Sequence, residues 1–314
     1  SAMGGVNLSL AGDIATLFVS FELLSIPAYA IAGFSRRDPR SNESGLKYLL
    51  LGATSSAFLL LGIVFLFGAT GEIHLARIME KLDFTSDSPD RTLAKIALAL
   101  IISSLFFKAA VAPFHWWIMD VYHGASYAAL SIIAIPVKIA SFAFLERMLN
   151  GPFRSFATLW VPFVLIAALL SFAFGAMQGI RQTNIKRLLA SSSVVNAGFI
   201  VLAVAFAGQQ VFVLYLAVYG IMTFTAVVSF MAAGTKTQDV DIVEDLRGLG
   251  RTNPFTASVL TFSLFSLAGI PLTAGFMAKF GVLYEVFRRA DMSGENSLFP
   301  LVSTHSLIAS AMVG

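Results

Sequence analysis

Phe106-Phe107-Lys108-Ala109-Ala110-Val111-Ala112-Pro113-Phe114-His115-Trp116-Trp117 is the stretch on which the fold turns. Its lysine stands near the middle of an apolar run, Leu93 to about Tyr122, that is long enough to cross a bilayer. A proline follows five residues later. A charge in hydrocarbon costs roughly 2.5–3.5 kcal/mol even on the most lenient scale. Proline removes a helix hydrogen bond and interrupts the helix beside that charge. A charged side chain on an interrupted membrane helix is how a transporter commonly forms an ion site, so Lys108 is expected on a proton path.

The whole chain fits that reading. It has 314 residues, of which 57% are hydrophobic and 12% charged, with a mean hydropathy of +0.81. Soluble domains carry about 25% charged residues, so this is an integral membrane protein. Cysteine is absent, which excludes a disulfide framework and a Cys-ligated metal or iron–sulfur site. The net charge of +3 is spread over many short loops without a dense Lys/Arg run, which argues against a nucleic-acid partner. Arg247-Gly248-Leu249-Gly250-Arg251 lacks the strand and the full spacing of a phosphate loop.

Working outward, the expected architecture is all-α and polytopic, with about nine spans. Leu8–Phe34 is the first and Leu46–Gly68 the second, followed by a short amphipathic helix within the polar connection Gly71–Arg91. The third holds the opening stretch. Gly124–Leu149 is the fourth, Phe156–Ile180 the fifth, and the sixth ends at Gly208. Val211–Ala233 is the seventh, and Pro254–Phe287 is an eighth interrupted at Gly269-Ile270-Pro271. An apolar run from about Leu298 to Gly314 is a clipped ninth. Arg36, Arg37, Arg40, Arg181, Lys186, Arg187, Lys236, Arg247 and Arg251 all fall at one end of these spans, which assigns that end to the cytoplasm or matrix. The third and eighth spans each combine a lysine with a proline break, an internal repeat of the inverted-transporter kind.

Four ionisable residues fall well inside spans: Glu22, Lys108, Lys138 and Lys279. Desolvation moves lysine and glutamate toward neutral titration, and a nearby opposite charge reverses the shift. A Glu22–Lys108 pair that forms and separates would thus switch the lysine's proton affinity, with Lys138 taking the proton and Lys279 passing it out. His115 has two open readings, a proton relay or a cap on the broken helix. Lys47 and Lys95 read as snorkelling side chains, Asp13 and Asp120 as solvated, and Lys186 and Arg187 as positive anchors. Trp116 and Trp117 read as an interfacial belt or packing. No His/Asp/Glu cluster has metal-ligand spacing.

Several of these stretches resemble one family in its own order. They are Phe21-Glu22-Leu23-Leu24-Ser25-Ile26-Pro27, Gly45-Leu46-Lys47-Tyr48, the run from Lys108 to His115, Gln182-Thr183-Asn184-Ile185-Lys186-Arg187-Leu188-Leu189, and Ser266-Leu267-Ala268-Gly269-Ile270-Pro271. The chain resembles the antiporter-like subunits of respiratory complex I, subunit 2 in particular, within the superfamily that includes Mrp-type antiporters. The resemblance implies two inverted five-helix units, residues 8–149 and 152–314, each with one broken helix. It implies a proton relay through Glu22, Lys108, Lys138 and Lys279, with His115 as a further candidate. Sister subunits and Mrp antiporters usually carry histidine where this chain has Lys138, which favours subunit 2.

Further implications follow from the same resemblance. No cofactor is expected on this chain; NADH, FMN, iron–sulfur clusters and ubiquinone belong to partner subunits. Expected partners are the other membrane-arm subunits, sister antiporter-like subunits included, together with lipids and a separate fragment supplying missing helices. The family has about three to four more helices before Leu8 and one or more after Gly314, which favours a split mitochondrial inner-membrane subunit, with the bacterial inner membrane as the alternative. A stand-alone Mrp-type cation/proton antiporter is the alternative function. The chain departs from the family at Trp117-Ile118-Met119-Asp120 and Gly124-Ala125-Ser126-Tyr127, which lack the usual prolines, and at Asn196, where histidine is common. The last departure puts a relay through position 196 in question.

Overall fold

The structure, a computed structural model, describes residues 2–35, 37–82, 89–234 and 240–292. Arg36, Lys236 and the clipped ninth span lie outside them. Among the described residues the chain is helical. α1 is Ala2–Leu10, α2 Ile14–Ala32, α3 Pro39–Thr70, α4 Leu75–Leu82, α5 Pro89–Ala109, α6 Trp117–Gly124, α7 Tyr127–Ala134 and α8 Pro136–Asn150. The second half continues with α9 Ala157–Ile180, α10 Ile185–Phe206, α11 Gln209–Ala233, α12 Leu249–Thr252, α13 Pro254–Ala268 and α14 Ala274–Met292. Seven segments are long and apolar enough to span a membrane, and the shorter α13 continues through a break into α14. These are the first eight expected spans.

The expected boundaries change at two places. Leu8 belongs to α1, not to the first span, because Asp13 caps a new helix by accepting from the Thr16 amide at 2.8 Å. The Thr16 bonds hold the Asp13 carboxyl below the usual carboxylate range. The fourth span is divided at Ile135, and Pro136 starts α8 as its first residue, where a missing N–H costs nothing. The amphipathic helix appears as α4, burying Leu75, Ile78 and Leu82.

Both long breaks close with the same turn. At the end of α5, the Ala110 amide donates to Phe107 O at 3.0 Å and the Val111 amide to Phe106 O at 2.9 Å. At the end of α13, the Gly269 amide donates to Ser266 O at 3.0 Å and the Ile270 amide to Phe265 O at 3.0 Å. This bonding pattern terminates a helix through one left-handed residue. Gly269 takes that conformation at φ +84 without steric cost, whereas Ala110 takes it at φ +55. Each helix therefore ends before its proline: at Ala109, four residues before Pro113, and at Ala268, three before Pro271. The Ala112–Pro113 peptide is cis.

The helices form one bundle with two distinct ends. At one end the Asp13–His74 bridge and the Ser155 bond to Leu82 O lie together. At the basic end, Asn184 bridges Ile242 and the Tyr127 hydroxyl bonds to Val240 O. α1 runs toward the first end and α9 runs away from it. Glycine sets the closest approaches. A Cβ at Gly124 would meet the Arg40 carbonyl, and one at Gly275 the Ser266 carbonyl.

Candidate functional site

The buried ionisable groups lie across the middle of the bundle, on helices the fold brings side by side. Lys108 occupies the last turn of α5, where free carbonyls and the negative pole of the helix favour a cation. It is fully buried. Its ammonium donates to the Tyr29 hydroxyl at 2.6 Å. It also lies over the rings of Tyr29, Phe21 and Tyr48, at 4.5, 5.0 and 5.7 Å. Tyr48 is fixed in turn by stacking on Trp117 at 4.8 Å, and Trp117 donates its indole N–H to the Phe107 carbonyl. The cage depends on Gly52, because a Cβ there would meet the Tyr29 phenol.

The expected Glu22–Lys108 ion pair is not formed: no carboxylate approaches Lys108 within 4.0 Å among the described residues. Glu22 acts on Lys108 only through space, and its Oε1 is buried without a hydrogen-bond partner. Tyr29, on the same helix as Glu22 and two turns later, holds the position beside the ammonium. The polar partner that the sequence reading missed is a phenol. Its signal was Tyr29 in register with Glu22 across α2, and glycine at 52 opposite.

Lys138 lies in the first turn of α8 and is 1% exposed. It donates to the Ser193 hydroxyl on α10, which is bonded to the Tyr219 hydroxyl on α11 at 2.9 Å. Tyr219 also reaches the carbonyl of Ala134, at the α7–α8 division, at 3.3 Å. Lys279 lies on α14 but reaches back across the break, donating to Leu267 O at 2.7 Å and Ala268 O at 3.2 Å. It thus satisfies free carbonyls at the end of α13. The two broken-helix lysines approach their breaks from opposite sides. Asn196 accepts from the Tyr215 hydroxyl at 3.0 Å.

His115 is fully buried between Trp116 and Phe174, with ring centroids 4.8 and 5.4 Å away. Its Nε2 faces the Gln178 amide nitrogen of α9 at 3.3 Å, and Lys138 acts on it through space. Its side chain does not cap α6, whose N-cap is Trp116. Trp116 is exposed, as a belt residue would be, and Trp117 is packed.

Four surface assignments change. Lys47 does not snorkel freely; it pairs with Asp120 and Glu43, each at 2.7 Å. Asp120 is correspondingly no solvated loop acid, and it also takes Arg187 at 3.7 Å. Lys186 is buried rather than anchored at the interface, 3.8 Å from Asp241 and over the Tyr127 ring. No cluster of three or more His, Cys, Asp or Glu able to hold a metal occurs among the described residues.

Residues 11–299 match the family described as NADH:quinone oxidoreductase/Mrp antiporter, transmembrane. The chain is similar to NADH-quinone oxidoreductase subunit N 1 of Sorangium cellulosum, 38% identical over 308 residues, covering 94% of this chain and 60% of the relative. Among solved structures it is similar to a chain of respiratory complex I from Thermus thermophilus with bound Aureothin, at TM-score 0.78 and 32% identity, covering 99% of this chain and 66% of that one. It also shares the fold of a chain of the Mrp complex from Dietzia sp., at TM-score 0.81 and 23% identity, covering 98% of this chain and 57% of that one. The chain spans about 60% of the length of the curated relatives it matches.

Proposed function

The chain belongs to the NADH:quinone oxidoreductase/Mrp antiporter transmembrane family, and from that premise we propose that it is the antiporter-like subunit N (subunit 2) of respiratory complex I, moving protons across the membrane. The observation that carries this reading is the set of lysines inside the bundle. Lys108 and Lys138 are completely buried, and Lys279 spans a helix break, each with a polar partner rather than a carboxylate. Buried charge of this kind is expensive and marks an ion pathway.

Each residue then has a role. Glu22 acts electrostatically on Lys108, which is held by Tyr29 until it releases its proton toward Lys138, and Lys279 delivers it at the second break. His115 lies between the first break and α9 as a side branch. The two units are residues 8–149 and 152–314. In the first, the broken helix is the fourth of α1, α2, α3, α5–α6 and α7–α8. In the second it is the fourth counted from α9, and the opposite directions of α1 and α9 support inversion. The boundary at residue 8 falls inside α1. Redox chemistry, with NADH, FMN, iron–sulfur clusters and ubiquinone, belongs to partner subunits, and sister antiporter-like subunits are the expected neighbours. Relatives such as that of Sorangium cellulosum favour the bacterial inner membrane over the mitochondrial one.

Replacing Lys108 by Met in the assembled, membrane-reconstituted complex tests the reading. Loss of a positioned proton-transfer group lowers rates about 100-fold or more, so NADH-driven pumping is expected to collapse. Pumping with unchanged stoichiometry in that variant overturns the relay. A sodium-dependent antiport activity purified without any NADH-oxidising assembly overturns the complex I assignment in favour of an Mrp-type antiporter.

A further inference from the structure

Between Lys138 and Lys279 no lysine, histidine or carboxylate offers a stepping stone among the described residues, and the position where the family commonly has histidine is Asn196. The structure fills that gap with hydroxyls. Ser193 receives Lys138 directly and is bonded to Tyr219 at 2.9 Å. Tyr219 lines two separate cavities. One, of about 10 Å³, is also bounded by Ser193, Tyr122 and Thr223. The Tyr122 and Thr223 hydroxyls are buried there without hydrogen-bond partners. The other, also of about 10 Å³, is bounded by Tyr219, Tyr215, Asn196, Ser266 and Lys279. Both spaces have largely apolar walls into which these few polar groups converge, and each is of the size that holds about one water with polar partners. Neither cavity joins the two lysines by itself; Tyr219 and Leu267 form the wall they share, and Tyr219 brings its hydroxyl to it.

We propose that the Ser193–Tyr219 hydroxyl pair is the bridge that carries protons from Lys138 to Lys279, with Asn196 and Tyr215 positioning the water beyond it. The proposal rests on the reading of the lysines as a proton relay. Lys138 gives one proton to Ser193 Oγ as Ser193 releases its own to the Tyr219 oxygen. Tyr219 releases its hydroxyl proton to a water in the second cavity, and that water gives one to the Lys279 amine. One N–H bond breaks at Lys138 and one forms at Lys279. Every hydroxyl and the water end neutral, and one positive charge has moved. Rotation of the two hydroxyls resets the pair, and the Ala134 carbonyl, 3.3 Å from the Tyr219 oxygen, offers the alternative acceptor for that rotation. Asn196 cannot take a proton at this step, and its bond to Tyr215 makes it a positioning residue.

The test uses the complete NADH-oxidising complex reconstituted in liposomes, with proton uptake and NADH oxidation followed together. Tyr219→Phe, which keeps the ring, and Ser193→Ala are each expected to slow proton-coupled turnover about 100-fold or more, the low end for loss of a proton-transfer group. The solvent deuterium isotope effect on turnover should rise in both. The double variant should be no slower than either single one, because the hydroxyls act as one unit. Ser193→Thr, whose extra methyl has the adjoining cavity to enter, should retain activity. Lys138→Met run beside these separates the two levels of the argument. If Lys138→Met abolishes pumping while Tyr219→Phe and Ser193→Ala pump like the unmodified complex, the bridge is wrong and the relay stands. If Lys138→Met itself pumps normally, the relay fails and the bridge with it.

Discussion

At the scale of single residues, the decisive contacts are those that let lysine stay in the interior. Lys108 is surrounded by three rings, of which the Tyr29 phenol also accepts its hydrogen bond, and the room for that phenol is left by Gly52. Gly52→Ala should therefore act on Lys108 without touching it. Overpacking of this kind costs about 1–3 kcal/mol, and it displaces the Tyr29 hydroxyl. Thermal unfolding of the purified complex should occur at lower temperature and its pumping should fall. A Gly52→Ala complex as stable and active as the original would refute the tight seating of Tyr29. Lys108, Lys138 and Lys279 themselves were legible in the sequence, because a charge inside an apolar run stands out by cost alone. Their partners were not, since serine, tyrosine and asparagine cost little in a membrane helix and carry no comparable signal. The Glu22–Lys108 pair was inferred from opposite charge, but it is Tyr29, on the same face of α2 two turns past Glu22, that lies against the ammonium.

At the scale of elements, the spans were readable from apolar length, and the breaks only approximately. The second break lies where Gly269-Ile270-Pro271 marked it, whereas at the first the terminating residue is Ala110, fixed by hydrogen bonds that no pattern of hydropathy encodes. The division of the fourth span at Ile135 was likewise invisible within an unbroken apolar run, although Pro136 sits on it. α6, the continuation of the first broken helix, is held at the basic end by Asp120, which takes Lys47 of α3 and Arg187 of α10. Half-exposed pairs are worth roughly 0.2–1 kcal/mol each. Asp120→Asn should then cost about 1 kcal/mol or less in low salt and less still near 1 M salt, where screening shortens to about 3 Å. Melting curves of the complex at the two salt concentrations measure that difference; an effect independent of salt would mean that the pairs do not hold α6.

At the scale of the molecule, the proposed proton course takes in the Lys108 cage, the Lys138–Ser193–Tyr219 group, the Asn196–Tyr215 pair and Lys279. Its two ends differ in kind. Lys108 is gripped by side chains, whereas Lys279 grips the backbone, donating to the carbonyls of Leu267 and Ala268. This second arrangement has a spectroscopic consequence. A carbonyl that accepts from an ammonium stretches at lower frequency than one that accepts from a neutral amine, because a charge-assisted bond is roughly twice as strong. With 13C and 18O placed at Leu267 and Ala268, the shifted amide band becomes a local reporter of whether Lys279 carries a proton. During turnover it should alternate between two frequencies in step with NADH oxidation, and in Lys279→Met it should stay fixed. The last turn of α13 is thus an optical gauge built into the backbone, able to show when a proton arrives at the far end of the course.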